Sequence, residues 1–397
     1  MSTFDDIVNR RGSGSYKWDS SADPDVIPLW VADMDFRTAP PVIEALRRRV
    51  DHGIFGYTLV GPDYYEALTG WMASRHNYRF DASRVIYTSG VVPAISAIIK
   101  ALAKPGEGVI VQTPVYNCFF SSIRNNGCRI VENPLRRIDL DAHEFTYEMD
   151  FGLLETLAAN ESNTMLLLLC NPHNPAGRAW RNDELARMAE ICARHGVSVV
   201  SDEIHCELTM PGLDYTPYGP IDEQVNGRPT ATICLSPSKA FNTAGLQIAN
   251  IVCPDADTRA AIDRAININE VCDVNPFGVE ALKASYTPEG AAWLDQLRGY
   301  IAENYAFTRD YLRSQLPQCP MARLEATYLP WVDIKGLGID SETLEQRLVN
   351  EAKVWVNCGD MYGTGGYLRI NIACPRHMLA EGLRRMTDWI NRNCRTA

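Results

Sequence analysis

Short, wholly apolar runs alternate along the chain with longer segments in which apolar residues recur every three or four positions. The runs read as strands: Arg84–Thr88, Gly108–Gln112, Arg129–Glu132, Thr164–Cys170, Val197–Ser201, Thr230–Leu235 and Gln247–Val252. The spacing predicts helices over Pro41–Asp51, Tyr64–His76, Val91–Leu102, Phe151–Asn160 and Asp183–His195, the last opening on acidic residues that suit a helix N-terminus. Strands alternating with helices predict an α/β fold whose sheet is mostly parallel and covered on both faces. The strands are continuously apolar rather than alternating, as burial on both faces requires.

From Gly290 the pattern changes. A long helix over Ala291–Gln315 leads into an α+β segment that holds a Tyr367–Ile372 strand and ends in a last helix. Residues 1–44 are turn-rich, with Trp18, Trp30, Phe36 and several prolines, and read as an arm that joins the smaller domain. Residues 45–285 are expected to form the large domain and 286–397 the small C-terminal one. No repeat and no Gly/Ser linker marks the boundaries.

Charge and cysteine content narrow the function. Forty-nine acidic residues against 38 basic ones give a net charge of −11, which argues against wide contact with nucleic acid or an anionic membrane. The longest strongly apolar run, Met165–Cys170, is far short of the roughly 20 residues of a membrane span. The N-terminus lacks a basic head and an apolar signal core, so a cytoplasmic protein is expected. Twelve cysteines are scattered from Cys118 to Cys394 without a CxxC pair, which points to free thiols in a reducing compartment and to no metal site.

In a parallel sheet, ligands bind beyond the carboxyl ends of the strands. Four segments there carry chemistry. Ser89-Gly90-Val91-Val92 opens a helix whose N–H groups suit a phosphate, although a plain tight turn accounts for the dipeptide alone. The Asn171–Gly177 loop holds its amide side chains rigidly through two Asn-Pro steps. Ser201-Asp202-Glu203-Ile204-His205 ends a buried strand on acids, where an unpaired charge is costly. A helix cap would explain Asp202 by itself, and Glu203 suits either solvent or a core network. Ser236-Pro237-Ser238-Lys239 ends the next strand. Of seven lysines only Lys239 follows a buried strand among hydroxyls and small residues. Together these residues make a chemical whole. A lysine forms a Schiff base with an aldehyde, an aspartate pairs with a pyridinium, an amide bonds a phenolic oxygen, and a helix N-terminus holds a phosphate. That is a pyridoxal 5'-phosphate site.

The order and spacing of Asn174, Asp202 and Lys239 resemble the fold-type I pyridoxal-phosphate enzymes of the aspartate aminotransferase superfamily, over nearly the whole chain. More narrowly, Pro28–Phe36, Phe55-Gly56-Tyr57, Ser201–His205 and Ser238–Leu246 resemble the MalY/PatB group of cystathionine β-lyases. The resemblance implies a mostly parallel seven-stranded sheet in a large domain, a smaller α+β domain, and roles for single residues. Lys239 is then the Schiff-base lysine, Asp202 the partner of the ring nitrogen, and Asn174 a donor to the ring oxygen. His205 stands where typical aminotransferases have a tyrosine for that oxygen. Tyr116 stacks on the ring, although a core aromatic reads equally well without the family. Val91, Val92, Ser236 and Ser238 surround the phosphate. Tyr57 reaches the neighbouring active site of a homodimer. Arg369 clamps the substrate carboxylate, with Ala32 and Asn174 beside it, although an isolated arginine in a strand is more often a surface charge.

Where many aminotransferases place a phosphate-binding arginine, about eight residues after the lysine, this chain has Gln247. A transaminase must retain an untethered amine form of its cofactor, whereas a lyase regains its lysine link each turnover. The resemblance therefore implies β-elimination from L-cystathionine, L-cystine or related cysteine S-conjugates, giving a thiol, pyruvate and ammonia. A class I/II aminotransferase is the alternative, and a non-enzymatic aminotransferase-like regulator is a second one.

Overall fold

The structure, a computed structural model, describes residues 3–160, 163–270 and 273–394. Seven strands form its large sheet: β1 (Val85–Thr88), β2 (Gly108–Val111), β3 (Arg129–Glu132), β4 (Thr164–Cys170), β5 (Ser198–Asp202), β6 (Thr232–Leu235) and β7 (Ala249–Val252). Their spatial order is β1-β7-β6-β5-β4-β2-β3. All neighbours run parallel except β7, which is antiparallel to both β6 and β1. The reason lies in the connection: residues 236–248 contain only a short Ala244–Leu246 turn of 3-10 helix. No crossover helix is available there, and a parallel return requires one.

Helices cover both faces, and β2, β6 and β7 are buried along their full length. The Val91–Leu102 helix buries Ala94, Ile95, Ile98 and Ile99 against one face of the sheet. On the other face, Leu185, Met188, Ala189 and Cys192 of the Asn182–His195 helix join the main core.

A second, six-stranded sheet runs in the order Asn357–Cys358, Tyr367–Arg369, Trp331–Asp333, Met321–Ala322, Glu144–Glu148, Arg136–Asp139. Its last two strands come from well before residue 285. Pairing of Met321 and Ala322 with Glu144 and Phe145 stitches the two parts of the chain together. Pro288 opens a 28-residue helix ending at Gln315, capped by the Thr287 hydroxyl accepting from Gly290 N–H. Asn304 on that helix donates to the carbonyls of Ile372 and Cys374 at 2.8 and 2.9 Å, fixing the chain just beyond the Tyr367–Arg369 strand.

The N-terminal segment is bound to this second half. Ile27–Pro28 pairs with Val354–Trp355. Lys17 is only 1% exposed, and its ammonium lies 2.7 Å from Asp35, which also takes Arg10 at 2.8 Å. A buried charge of this kind persists only when paired. The network holds residues 30–35 against the end of the large sheet, where they become one wall of a cavity.

Candidate active site

The carboxyl ends of β1, β4, β5 and β6 open on a cavity of about 470 Å³. Asp202, Asn174, His205, Lys239, Tyr116 and Arg369 all line it. Residues from Tyr116 to Lys239 converge because parallel strands end on the same edge, and Arg369 joins them from the second sheet.

Asp202 is the last residue of β5 and 4% exposed. Burial pushes its carboxyl up to about 7, opposed by one bond from the Ile204 amide and by the charge of Lys239. A cation placed against Asp202 would reverse that shift. Glu203 beside it belongs to a core network: it is fully buried and accepts from Tyr215, Ser201, Asn171 and the Tyr218 amide.

Lys239 follows β6, and its Nζ donates to the carbonyl of Ala32 at 2.6 Å. Burial and then the Arg369 charge push its ammonium down to about 8. His205 is 3% exposed, with Nδ1 unpartnered, and burial together with Lys239 and Arg369 lowers its pKa to about 3. The ring is neutral at physiological pH and free to bond an oxygen.

Arg369, 3% exposed, is aimed by its neighbours. Nη1 donates to Asn174 Oδ1 at 3.2 Å, Nη2 to the Trp30 carbonyl at 2.9 Å, and the guanidinium lies 4.7 Å from the Tyr362 ring centroid. Its Nε is buried without a partner. Two buried polar nitrogens without a partner, His205 Nδ1 and Arg369 Nε, belong to residues lining one cavity and indicate polar ligand atoms there.

At the other end of the cavity, Gly90 begins the Val91–Leu102 helix with no side-chain cap. The Val91 and Val92 amides therefore lack intrahelical acceptors. Ser238 lines the cavity. Ser236 does not; its hydroxyl donates to the Ile248 carbonyl at 2.7 Å and accepts from the Ser238 amide at 3.1 Å, holding the turn in place. Gln247, in a left-handed conformation at φ 54°, also lines the cavity. Tyr57 lies outside it, with a side chain 95% exposed on the 53–61 segment.

Sequence reasoning missed Tyr16, Cys118, Asn357 and Tyr362 as lining residues and left Trp30 unplaced. Trp30 had a signal in the aromatic Pro28–Phe36 run. Cys118 follows β2 two residues beyond Tyr116, while Tyr16, Asn357 and Tyr362 follow no strand of the large sheet.

Against known proteins, the model of the aminotransferase class I and II family matches residues 24–386. The chain belongs to that family. It is 39% identical to cystathionine β-lyase PatB of Bacillus subtilis, over 96% of this chain and 98% of that protein. It is 32% identical to MalY of Escherichia coli, over 98% and 99%. Cystalysin from Treponema denticola, solved with a pyridoxal 5'-phosphate cofactor, has a TM-score of 0.91 at 33% identity, covering 98% of each chain. The pyridoxal-phosphate-bound carbon–sulfur lyase of Staphylococcus hominis has a TM-score of 0.89 at 30% identity, covering 98% of this chain and 99% of that one.

The residues of this family member fit pyridoxal phosphate group by group. The uncapped helix start suits its phosphate, and Asp202 suits its ring nitrogen. His205 and Asn174 suit its ring oxygen, and Lys239 its aldehyde. The two unpartnered buried nitrogens, on His205 and Arg369, are the independent sign that this cavity is built for a polar ligand.

Proposed function

We propose that this protein eliminates a thiol from L-cystathionine, L-cystine or related cysteine S-conjugates. It is a pyridoxal-phosphate-dependent carbon–sulfur β-lyase. Bound pyridoxal phosphate supplies an electron sink for the pair left when Cα loses its proton.

The chain's own residues do the rest. Lys239 would hold the cofactor through its aldehyde group. Once free it takes the Cα proton, a task helped by a pKa near 8, which leaves a usable neutral fraction at neutral pH. Asp202 keeps the ring nitrogen protonated, its own ionisation favoured by that positive neighbour. Arg369 holds the substrate carboxylate through its planar fork, preset by Asn174 and Trp30. Val91, Val92 and Ser238 would hold the phosphate. Ser236 would act through Ser238, and Tyr116 would pack on the ring. As the Cβ–S bond breaks, the Lys239 ammonium returns its proton to the departing sulfur. Water then converts the three-carbon enamine into pyruvate and ammonia.

The observation that carries this reading is the meeting of Lys239, Asp202 and Arg369 in one cavity of a chain related to β-lyases over its full length. His205 and Gln247, at positions where many aminotransferases have Tyr and Arg, favour elimination over transamination. The test is sustained pyruvate release from L-cystine by the cofactor-loaded protein. Loss of that release in Lys239→Ala is expected, and full activity of this variant would overturn the assignment.

We further infer a homodimer in which Tyr57 serves the neighbouring site. Ile54, Phe55, Tyr57 and Leu59 form an exposed apolar stretch, which fits a contact between subunits. We also infer that residues 45–285 and 286–397 act as large and small domains, with 1–44 attached to the small one. The pairing of Ile27–Pro28 with Val354–Trp355 supports the arm's place, while Arg136–Glu148 crosses between them. All eleven described cysteines are free, which supports a reducing, cytoplasmic location, and Cys272 lies outside the described residues. Among the described residues no helix is long and apolar enough to cross a membrane.

A further inference from the structure

We infer that His76, Cys206 and Glu207 form a zinc-binding site separate from the cofactor cavity. The inference stands on geometry and donor chemistry and is independent of the β-lyase reading.

Two elements bring the three side chains together. His76 is the last residue of the Pro62–His76 helix, and Cys206 and Glu207 follow shortly after β5. One ring nitrogen of His76, the Cys206 sulfur and one Glu207 oxygen all lie within 4.8 Å of one another. Among the described residues no other three side chains of the metal-ligating kinds meet this closely. The lack of a CxxC pair gave no sign of it, because chain spacing does not register ligands that folding collects from positions 131 apart.

The Glu207 carboxylate is buried and already oriented. Trp71 Nε1 donates to its Oε1 at 2.6 Å and Arg75 Nε to its Oε2 at 3.1 Å, while His76 Nε2 lies 2.6 Å from Oε1. As an ion pair this carboxylate is complete. That pairing leaves two features unused: the Cys206 sulfur, 4.0 Å from Glu207 Oε1, and a cavity of about 560 Å³ lined by all three residues. Burial holds the Cys206 thiol well above its ordinary value, so it stays protonated until a metal displaces the proton.

Zinc suits this donor set. Imidazole, thiolate and carboxylate are its ordinary ligands, at about 2.0–2.3 Å in a tetrahedron, which sets ligand atoms roughly 3.2–3.8 Å apart. The His76–Glu207 contact opens and the Cys206–Glu207 contact closes by about 1 Å or less to reach that geometry. Water from the cavity fills the fourth position. Trp71 and Arg75 keep their bonds to Glu207 and hold it in place, as outer partners of a metal ligand do. The sulfur favours zinc over magnesium or calcium.

The surrounding charge also fits. Arg75 and Arg298 line this cavity with Glu207 and Asp214, and Asp295 pairs with both arginines. With a neutral imidazole and thiol, these three carboxylates face two guanidiniums. A zinc ion that displaces the thiol proton adds one net positive charge and closes the balance. The step releases one proton and changes no oxidation state.

The experiment loads the holoenzyme with zinc, removes free metal by gel filtration and counts the zinc retained per chain. One zinc per chain is expected, with a raised melting temperature, because the ligand binds the folded state. Cobalt in place of zinc should show a thiolate-to-metal absorption band. Cys206→Ala and His76→Gln should each weaken zinc binding by about a hundredfold or more and remove that retained metal. Glutamine keeps a donor for Glu207, so this variant remains decisive if Cys206→Ala fails to fold. No retained zinc, retention equal to the parent in either variant, or an undiminished cobalt band in Cys206→Ala would overturn the site.

Discussion

Lys239 and Ala32 meet across the cavity: the lysine amine donates to the alanine carbonyl at 2.6 Å. The two residues lie 207 positions apart, one after β6 and the other on the N-terminal arm. The Ala32 carbonyl is itself held by the Tyr328 hydroxyl at 3.1 Å, and Asn371 donates to the carbonyls of Val31 and Asp33 on either side of it. A buried amine with a fixed acceptor, next to Arg369, is poised to be neutral when released.

That environment sets a pH dependence. Lys239 must be neutral to take the Cα proton, and its pKa is pushed down to about 8. Rate should therefore rise with pH, falling about tenfold per unit below the Lys239 value and levelling off above it. Steady-state rates from pH 6 to 9.5 check this. A flat acid limb would exclude Lys239 as the titrating base.

Asp202 predicts an unusual stability profile for the cofactor-free protein. Its folded value of about 7 lies above the unfolded one of 3.8. Below pH 4 both states hold the proton and burial carries no ionic penalty. Between pH 4 and 7 the unfolded state releases the proton first, so stability falls as pH rises, by on the order of 2–4 kcal/mol in full above pH 7. Cofactor-free Asp202→Asn should consequently melt above the parent at pH 8 and level with it at pH 4. The same variant should hold pyridoxal phosphate more weakly. Equal melting at both pH values would show that Asp202 is not strained by burial.

Much of this was legible in the sequence, for a physical reason. Strands buried on both faces must be continuously apolar, so β4 and β5 appear within a residue or so of their predicted bounds, and the residues after them are the ligand edge. The antiparallel course of β7 was not legible, because direction depends on the missing crossover and not on composition. The excursion of Arg136–Glu148 into the second sheet was hidden likewise, since its partner strand is Met321–Ala322. Ser236 and Ser238 look alike as residues two apart, and only the turn decides that Ser238 faces the cavity. Tyr16 and Tyr362 reach the site through tertiary packing alone.

Arg369→Lys should raise KM for amino-acid substrates by about tenfold or more while changing kcat less, because a lysine keeps the charge but loses the two-pronged contact and the seat between Asn174 and Trp30. Substrate titrations on the variant test this. An unchanged KM would place the carboxylate elsewhere.

The proposed sharing of Tyr57 between subunits predicts complementation. Lys239→Ala and Tyr57→Ala chains are each expected to be impaired. Refolded together in equal amounts, they should regain about one quarter of native activity, since half the dimers then contain one intact site. Activity no greater than the sum of the two variants would show that each chain supplies its own tyrosine.

The central claim is β-elimination by Lys239 in this cavity. The most direct measurement incubates the cofactor-loaded protein with L-cystathionine and no keto acid, and assays pyruvate and free thiol together, with Lys239→Ala in parallel. The account predicts equal amounts of pyruvate and homocysteine over many turnovers, and none from the variant. A single-turnover change of the cofactor spectrum, reversed only by added keto acid and without pyruvate, would contradict it and identify an aminotransferase.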